Sequence, residues 1–170
     1  MTVVADDTDV PSGFADLYAA TFRSLLAQLW AYLGDQGQAQ EVVQEAFCRA
    51  YERWDRISGY DDPVAWVRRV AWNLATNRLR RERRFLAFAR RHRESHVNGP
   101  SPDRVMLVAA LAALPERQRR ALVKYHLADF SIAEIAAAEG VPENTVKSWL
   151  HRGRAALAAT LGGPREEPHV

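Results

Sequence analysis

Apolar residues recur every three or four positions along most of the chain, which is the spacing of one face of an α-helix. Between residues 12 and 33 they predict a first helix, closed by Gly34, with one face that carries Phe14, Leu17, Tyr18, Phe22, Leu25, Leu29 and Leu33. From about residue 38 to residue 56 they predict a second helix with a buried stripe of Val43, Phe47, Ala50, Tyr51 and Trp54. The sequence shows no alternation of apolar and polar residues typical of a strand. The pattern therefore predicts an all-α fold.

A third, longer helix is predicted from Pro63 to about Arg90. Its first half would pack through Trp66, Val67, Val70 and Leu74, whereas its second half consists largely of arginines. Residues 94–102 have the glycine, proline and serine content of a linker. Beyond them the pattern predicts helices over 102–114 and 116–126, the first of which would pack through Val105, Leu107, Val108 and Leu111.

Two small all-α domains joined by a flexible linker are therefore expected. The chain has 170 residues, which is long enough for two such cores. The predicted parts are a disordered acidic tail over 1–11, a first domain over 12–92, the linker over 93–102, a second domain over 103–162 and a disordered tail over 163–170.

Residues 131–154 have the pattern of a helix-turn-helix that lies in the major groove of DNA. Ser131 and Glu134 form a capping box that begins a short helix, and Gly140 followed by Pro142 supplies the turn into a second helix. Val146 and Leu150 would hold that second helix against the first. Its other face carries donors suited to base edges and phosphates: Asn144, Lys147, Ser148, His151 and Arg152. The alternative is an ordinary helical hairpin with a solvated polar face.

Charge is segregated along the chain although its net value is only +2. Residues 66–93 contain ten arginines and one acidic residue, Glu82, whereas residues 35–62 contain seven acidic residues and three arginines. A basic block favours a polyanionic partner, and an acidic neighbour favours a different, basic partner. The alternative, an arginine-rich helix end without a partner, is disfavoured because such a cluster repels itself.

Composition argues against an enzyme, a metal site and a bound cofactor. The single cysteine, Cys48, excludes an internal disulfide and a multi-cysteine metal site, and its apolar surroundings predict a small buried thiol. His92 and His96 are four positions apart but lack a carboxylate in register, so no metal is expected. There is no glycine-rich phosphate loop and no nucleophile with an evident base. Without a secretory signal or a membrane-spanning run, a cytoplasmic location is expected.

Three segments resemble the bacterial sigma factors of the sigma-70 family. Residues 41–51 (Glu-Val-Val-Gln-Glu-Ala-Phe-Cys-Arg-Ala-Tyr) resemble the region-two helix that docks on core RNA polymerase. Residues 65–81 resemble the helix that opens the −10 element of a promoter. Leu-Pro-Glu-Arg-Gln-Arg-Arg-Ala-Leu at 114–122, with the helix-turn-helix, resembles region four, which binds the −35 element. The likeness covers about residues 14–161, and the absence of an intervening domain points to the extracytoplasmic-function (ECF, group four) class.

The resemblance implies that the acidic second helix docks on the clamp helices of the polymerase beta-prime subunit. The residues expected to make this contact lie off the predicted buried stripe and are Glu41, Gln44 and Glu45. A plain solvated face is the alternative. The family usually has an acidic residue before Glu41, and Gln40 stands there in this chain. Weaker binding to the core polymerase is therefore expected.

The resemblance also implies a surface for the unpaired strand of the −10 element. The loop over 57–65 matches the loop that holds a flipped base in the family, and aromatic rings could replace the stacking that the base loses. The predicted contacts are Tyr60, Asp61, Asp62, Trp72, Asn73, Asn77, Arg78, Arg80, Arg81 and Arg84. Trp72 is equally compatible with a place in the core, and Trp66 is expected to be a core residue.

For the −35 element, the resemblance implies a recognition helix whose predicted contacts are Asn144, Thr145, Lys147, Ser148, His151 and Arg152. Arg152 is the best candidate for a bidentate contact with guanine. Position 149, commonly basic in relatives, is Trp149 here and is expected to pack against a neighbouring helix. Four further basic residues are expected to contact the DNA backbone or the polymerase beta flap: Arg117, Arg119, Arg120 and Lys124.

Together these expectations describe a sigma factor with core RNA polymerase and promoter DNA as partners and no covalent chemistry of its own. An anti-sigma factor is a further expected partner, because this class often has one. The linker matches the family segment that threads into the polymerase, although its composition suits any tether. A stand-alone helix-turn-helix regulator explains residues 115–155 but leaves the acidic and arginine-rich helices unexplained. A polymerase-binding protein that has lost promoter recognition is disfavoured by the intact recognition helix.

Overall fold

The structure, a computed structural model, describes residues 13–86 and 101–162. These residues form α-helices and no strand, which confirms the predicted all-α fold class. The helices are α1 (Phe14–Leu33), α2 (Gln36–Tyr51), α3 (Trp54–Ile57), α4 (Pro63–Leu86), α5 (Pro102–Ala112), α6 (Glu116–His126), α7 (Ile132–Glu139) and α8 (Glu143–Leu161). The predicted tails, His92, His96 and nearly all of the predicted linker lie outside the described residues.

The predicted second helix is two helices in the structure. α2 ends at Tyr51, and the short α3 follows after Arg53, whose φ of −121° and ψ of 19° are not helical. Trp54 and Ile57, at the two ends of α3, are both buried. The end of the arginine-rich helix, predicted at Arg90, lies outside the described residues.

The described residues form two compact units, one of 13–26 with 40–86 and the other of 27–39 with 101–162. Residues 27–39, which sequence reasoning assigned to the first domain, therefore belong to the second unit. The physical reason is visible at Tyr32, whose hydroxyl donates to Glu116 of α6 at 2.7 Å. Contacts between residues so distant along the chain leave no local pattern in the sequence.

The first unit has an aliphatic core edged by aromatic rings. Its most deeply buried side chains include Leu25, Val43, Ala46, Ile57, Val67 and Ala71. Phe14 meets both Tyr51 and Trp54 edge-on, with ring centroids 5.3 Å apart in each case. The expectation that Tyr51 is buried is wrong, because 46% of its surface is exposed. Its ring lies at the rim of the aromatic cluster rather than inside it.

The second unit is built around α8, which packs against α5, α6 and α7. Gly153 allows α6 to approach closely, because a Cβ at that position would lie 2.7 Å from Cδ1 of Leu122. Helix α5 buries Val108, Ala110 and Leu111, all in its C-terminal half. Val105 and Leu107 were also expected to be buried, but both are exposed. They come before the three buried residues of the helix.

Candidate nucleic-acid interface

The helix-turn-helix has the local geometry that its sequence predicts. The Ser131 hydroxyl accepts the backbone N–H of Glu134 at 3.1 Å, and the Glu134 carboxylate accepts the N–H of Ser131 at 2.8 Å. Gly140 ends α7 with a φ of +66°, the left-handed conformation that glycine adopts without strain. Pro142 occupies the N-cap of α8 with an extended ψ of 149°. The predicted capping box and turn are confirmed.

Helix α8 presents its polar side chains to solvent. Val146, Leu150 and Gly153 are buried on its inner side. Successive residues of an α-helix are about 100° apart, so the side chains at 144, 148, 151 and 152 fall within one outer arc. Asn144, Lys147, Ser148, His151 and Arg152 are all exposed, and Thr145 is half-buried. The Arg152 Nε donates to the Ser148 carbonyl at 3.4 Å, which aligns the side chain along this outer arc.

Trp149 packs at the flank of that arc, as predicted. Only 9% of its surface is exposed, and the guanidinium of Arg117 lies 5.9 Å from the centre of its ring. This distance allows a cation–π contact. Arg117 itself is exposed and so remains a candidate for a phosphate contact.

The other three residues of the predicted basic set on α6 are buried rather than available to DNA. Arg119, Arg120 and Lys124 are between 5% and 7% exposed, so the prediction that they contact DNA phosphates or the polymerase flap is wrong. Arg120 donates to both Glu116 and Glu139, and Lys124 donates to Glu139 at 3.2 Å. Tyr32 completes this buried polar cluster by donating to Glu116. The cluster ties α6 to the end of α7, immediately before the turn of the helix-turn-helix.

Burial shifts the proton affinities within this buried polar cluster. Burial, reinforced by the hydrogen bond to Glu116, raises the pKa of Tyr32 to about 12. Burial lowers the pKa of Lys124, and the neighbouring Glu139 opposes that effect. The sequence did contain one sign of the cluster. Glu116, Arg120 and Lys124 recur every four residues and therefore share one face of α6.

The loop before α4 has exposed polar side chains at its predicted positions. Tyr60 is 38% exposed, and Asp61 and Asp62 are also exposed. The carboxylate of Asp62 accepts the backbone N–H of Ala65 at 2.9 Å and so caps the first turn of α4. Asp62 thus has a structural contact in addition to the DNA contact predicted for it.

One face of α4 continues from this loop towards the arginines. At about 100° per residue, side chains seven or four positions apart fall close together on this face. We call these residues the α4 stripe: Trp66, Asn73, Asn77, Arg80 and Arg84. Trp66 is partly exposed, and Asn73, Asn77, Arg80 and Arg84 are exposed. Four of these five residues were predicted site residues, and Trp66 was expected in the core.

Trp72 is buried instead. Only 3% of its surface is exposed, and it lies among the inward-facing residues of α4, next to Ala71 and Ala75. An aromatic ring in the core offers no face to an unpaired base. The assignment of Trp72 as a stacking surface is therefore contradicted by its burial, and Trp66 takes its place as the aromatic candidate.

Arg78 points to the other side of α4, towards α2. Its guanidinium lies 2.6 Å from the Glu41 carboxylate and 4.0 Å from that of Glu82. The pair crosses a groove of about 700 Å³ that Glu45, Asn77 and Arg81 also line.

The three predicted polymerase contacts form an exposed ridge on α2. Glu41 and Glu45 line the groove towards α4, whereas Gln44 lines a cleft on the opposite flank of the ridge. That cleft, about 470 Å³, is largely apolar and includes Phe14, Tyr18, Phe47, Cys48 and Tyr51. Cys48 is exposed there, so the expectation of a buried thiol is wrong. Val43, Ala46 and Phe47 already fill the inner face of α2, which leaves position 48 outside.

Comparison with known proteins finds two family models that match successive segments of the chain. The family model described as Sigma-70 region 2 matches residues 17–85, and the model described as Sigma-70, region 4 matches residues 104–157. The chain is 34% identical to the ECF RNA polymerase sigma factor SigL of Mycobacterium tuberculosis over 88% of this chain and 94% of that protein. It is 33% identical to the RNA polymerase sigma-E factor of Streptomyces coelicolor over 81% of this chain and 80% of that protein.

The chain belongs to the sigma-70 family of RNA polymerase sigma factors. Solved structures agree in fold. The sigma factor RpoE of Bartonella quintana, in complex with the anti-sigma factor NepR, matches with a TM-score of 0.68 at 22% identity, covering 89% of this chain and 98% of that one. CnrH, in complex with the cytosolic domain of CnrY, matches with a TM-score of 0.59 at 25% identity, covering 89% and 88%.

The family models show which helices of this sigma factor belong to region 2 and which belong to region 4. The region-2 match includes α2, α3, α4 and the loop between α3 and α4, and the region-4 match includes the complete helix-turn-helix. It directs RNA polymerase to promoters, and a stand-alone regulator is disfavoured because both regions are present in order. None of the helices in the described parts of the chain is long and apolar enough to cross a membrane.

Proposed function

We propose that this sigma factor reads promoters with two separate surfaces, the α4 stripe for the −10 element and the outer arc of α8 for the −35 element. The observation that carries the proposal is that α4 and α8 each expose a row of side chains able to donate hydrogen bonds to DNA. The α4 stripe combines one partly exposed indole with amides and arginines, which suits an unpaired strand. The outer arc of α8 follows a capped helix and a glycine turn, which suits the major groove.

At the −10 element, Tyr60, Asp61 and Asp62 would receive the flipped base, and Trp66 would stack with a neighbouring one. Base stacking on an aromatic ring contributes about 1–3 kcal/mol. Asn73 and Asn77 lie between this ring and the arginines, where their amides can meet base edges. Arg80, Arg81 and Arg84 would contact phosphates, which supply affinity rather than sequence choice.

At the −35 element, replacement of Arg152 by alanine is expected to weaken binding to duplex DNA by about 1–3 kcal/mol and to relax the preference at one base pair. The reason is that Arg152 has the reach for a bidentate contact with guanine. Selection of bound duplexes from a random pool, followed by titration of the best duplex, measures both effects. Arg154→Ala is the matched control, since Arg154 lines an apolar groove with Leu122 and Leu157 instead. An unchanged base preference in Arg152→Ala would contradict the assignment.

Core RNA polymerase is proposed to dock on the ridge formed by Glu41, Gln44 and Glu45, through the clamp helices of its beta-prime subunit. The ridge is exposed, carries two carboxylates and is flanked by an apolar cleft. A partner with basic residues beside apolar ones complements it.

The double variant Glu41→Ala with Gln44→Ala is expected to lose stoichiometric co-elution with core RNA polymerase on size exclusion. Asp55→Ala, which removes an exposed carboxylate on α3 away from both the groove and the cleft, is expected to co-elute as the unmodified protein does. If the double variant still co-elutes fully, the docking surface lies elsewhere. Its binding to a short duplex of the −35 element, which is proposed to contact α8 and not α4, should be unchanged, and this separates loss of docking from loss of fold.

An anti-sigma factor is a further proposed partner, because two solved structures with this fold are each described as a complex, and one of these complexes contains a protein named as an anti-sigma factor. We further propose that the protein acts in the cytoplasm with RNA polymerase and has no catalytic activity of its own. The phosphodiester chemistry of transcription then belongs to the polymerase.

A further inference from the structure

The groove between α2 and α4 joins side chains that are expected to serve different partners. Glu41 belongs to the proposed polymerase-docking ridge, and Arg78 is one of the −10 contacts predicted from the sequence. Their side chains meet at 2.6 Å across the groove. One ion pair therefore links the surface for polymerase to the surface for DNA.

Arg78 differs in this respect from the exposed arginines that follow it on α4. Glu82, one turn further along, places a second carboxylate 4.0 Å from its guanidinium. Only about one third of the Arg78 side chain is exposed, so Arg78 is more buried than Arg80 and Arg81, which both lie exposed. A guanidinium held by carboxylates must exchange them for a phosphate before it can contribute to DNA binding. The contribution of Arg78 to the free energy of DNA binding is therefore reduced by the free energy of the ion pair that it loses.

We propose that Glu41 is a positioning residue that holds Arg78 away from DNA, and that a basic group of core RNA polymerase releases Arg78 by taking over the Glu41 carboxylate. The inference rests on the proposed function, because it uses the docking role of Glu41 and the DNA contact of Arg78. Polymerase and DNA then each break the same ion pair. Binding of either one therefore strengthens binding of the other, as linkage requires.

The proposal is tested on the whole protein without polymerase, by fluorescence anisotropy with labelled oligo(dT). This probe suffices because phosphate contacts do not depend on base sequence. Glu41→Gln is expected to tighten binding about two- to five-fold at low salt, which is the size of one exposed ion pair. The slope of log affinity against log salt should steepen by about 0.7, the value for one added phosphate contact on a single strand. In the Arg78→Gln background, Glu41→Gln should have no effect beyond that of the charge control.

The charge control is Glu52→Gln, which removes the same charge at a position lining the other cleft. If Glu52→Gln tightens binding as much as Glu41→Gln does, or if the gain persists without Arg78, the proposal is wrong. Far-ultraviolet circular dichroism verifies that each variant keeps its helices. Failure of the proposed docking surface would appear in the co-elution of the Glu41/Gln44 variant instead. The two failures are therefore distinguishable, because the oligo(dT) titration contains no polymerase.

Discussion

Replacement of Glu139 by alanine is expected to lower the unfolding free energy of the second unit by about 3–5 kcal/mol, the cost of breaking a buried ion pair from one side. Glu139 is the acceptor for both Arg120 and Lys124, and its own side chain is only 12% exposed. Its loss removes the carboxylate that accepts from Lys124 and one of the two carboxylates that accept from Arg120, at a place where both cations are buried. Amide hydrogen exchange of α6 and α7 measures the effect locally, without requiring the two units to unfold together.

Glu143→Ala is the control, because Glu143 is an exposed acidic residue in the first turn of α8. Its loss should cost less than about 1 kcal/mol, the value of a carboxylate at a helix N-terminus. Equal losses in the two variants would contradict the buried cluster. Binding to −35 DNA should fall along with stability in Glu139→Ala, since Gly140 and α8 follow immediately.

The parts of the fold that follow from neighbouring residues could be predicted from the sequence. The capping box at Ser131 and the left-handed turn at Gly140 depend on contacts within four residues, and both are present as expected. Helix type and order were likewise predictable, because a helical period repeats along each segment. The break after Tyr51 was missed because the apolar spacing of α2 and α3 is continuous across it.

The parts that depend on distant residues could not be predicted. Arg120 has the sequence signature of a surface cation, but its partners include Tyr32, 88 positions earlier in the chain. No pattern among neighbouring residues in the sequence predicts such a contact. Lys124 and Arg119 were misplaced for the same reason, since sequence patterns treat charged residues as exposed unless a partner is known.

Trp66 and Trp72 illustrate an intermediate case. The helical period shows that Trp66 shares a face with Asn73, seven positions later, and that Trp72 does not. Which face lies inward depends on where α1 and α2 pack, and that information is not local to α4. The period could therefore have grouped Trp66 with Asn73, but our prediction placed Trp72 at the site and Trp66 in the core. The packing was needed to decide which face of α4 is exposed.

Replacement of Arg80, Arg81 and Arg84 together by alanine is expected to weaken binding to single-stranded DNA about 100-fold at roughly 0.1 M salt. Each contact with a phosphate of a single strand releases about 0.7 of a counterion, so three contacts change the salt slope by about 2. All three side chains are exposed on the outer part of α4. Titration of labelled oligo(dT) over a series of salt concentrations gives both the affinity and the slope.

A matched variant carries Arg23→Ala, Arg53→Ala and Arg56→Ala, which removes the same charge from exposed positions elsewhere in the first unit. This variant should show only the long-range electrostatic effect of a lower net charge on DNA binding. Salt at 0.1 M largely screens that effect beyond about 10 Å. If both triple variants lose the same affinity, the arginines of α4 act through net charge and not through phosphate contacts. If only the α4 variant flattens the salt slope, the counterions are released at α4. The basic helix is then the surface that exchanges counterions for the opened strand, and base choice is left to the amides and aromatic rings nearer the loop.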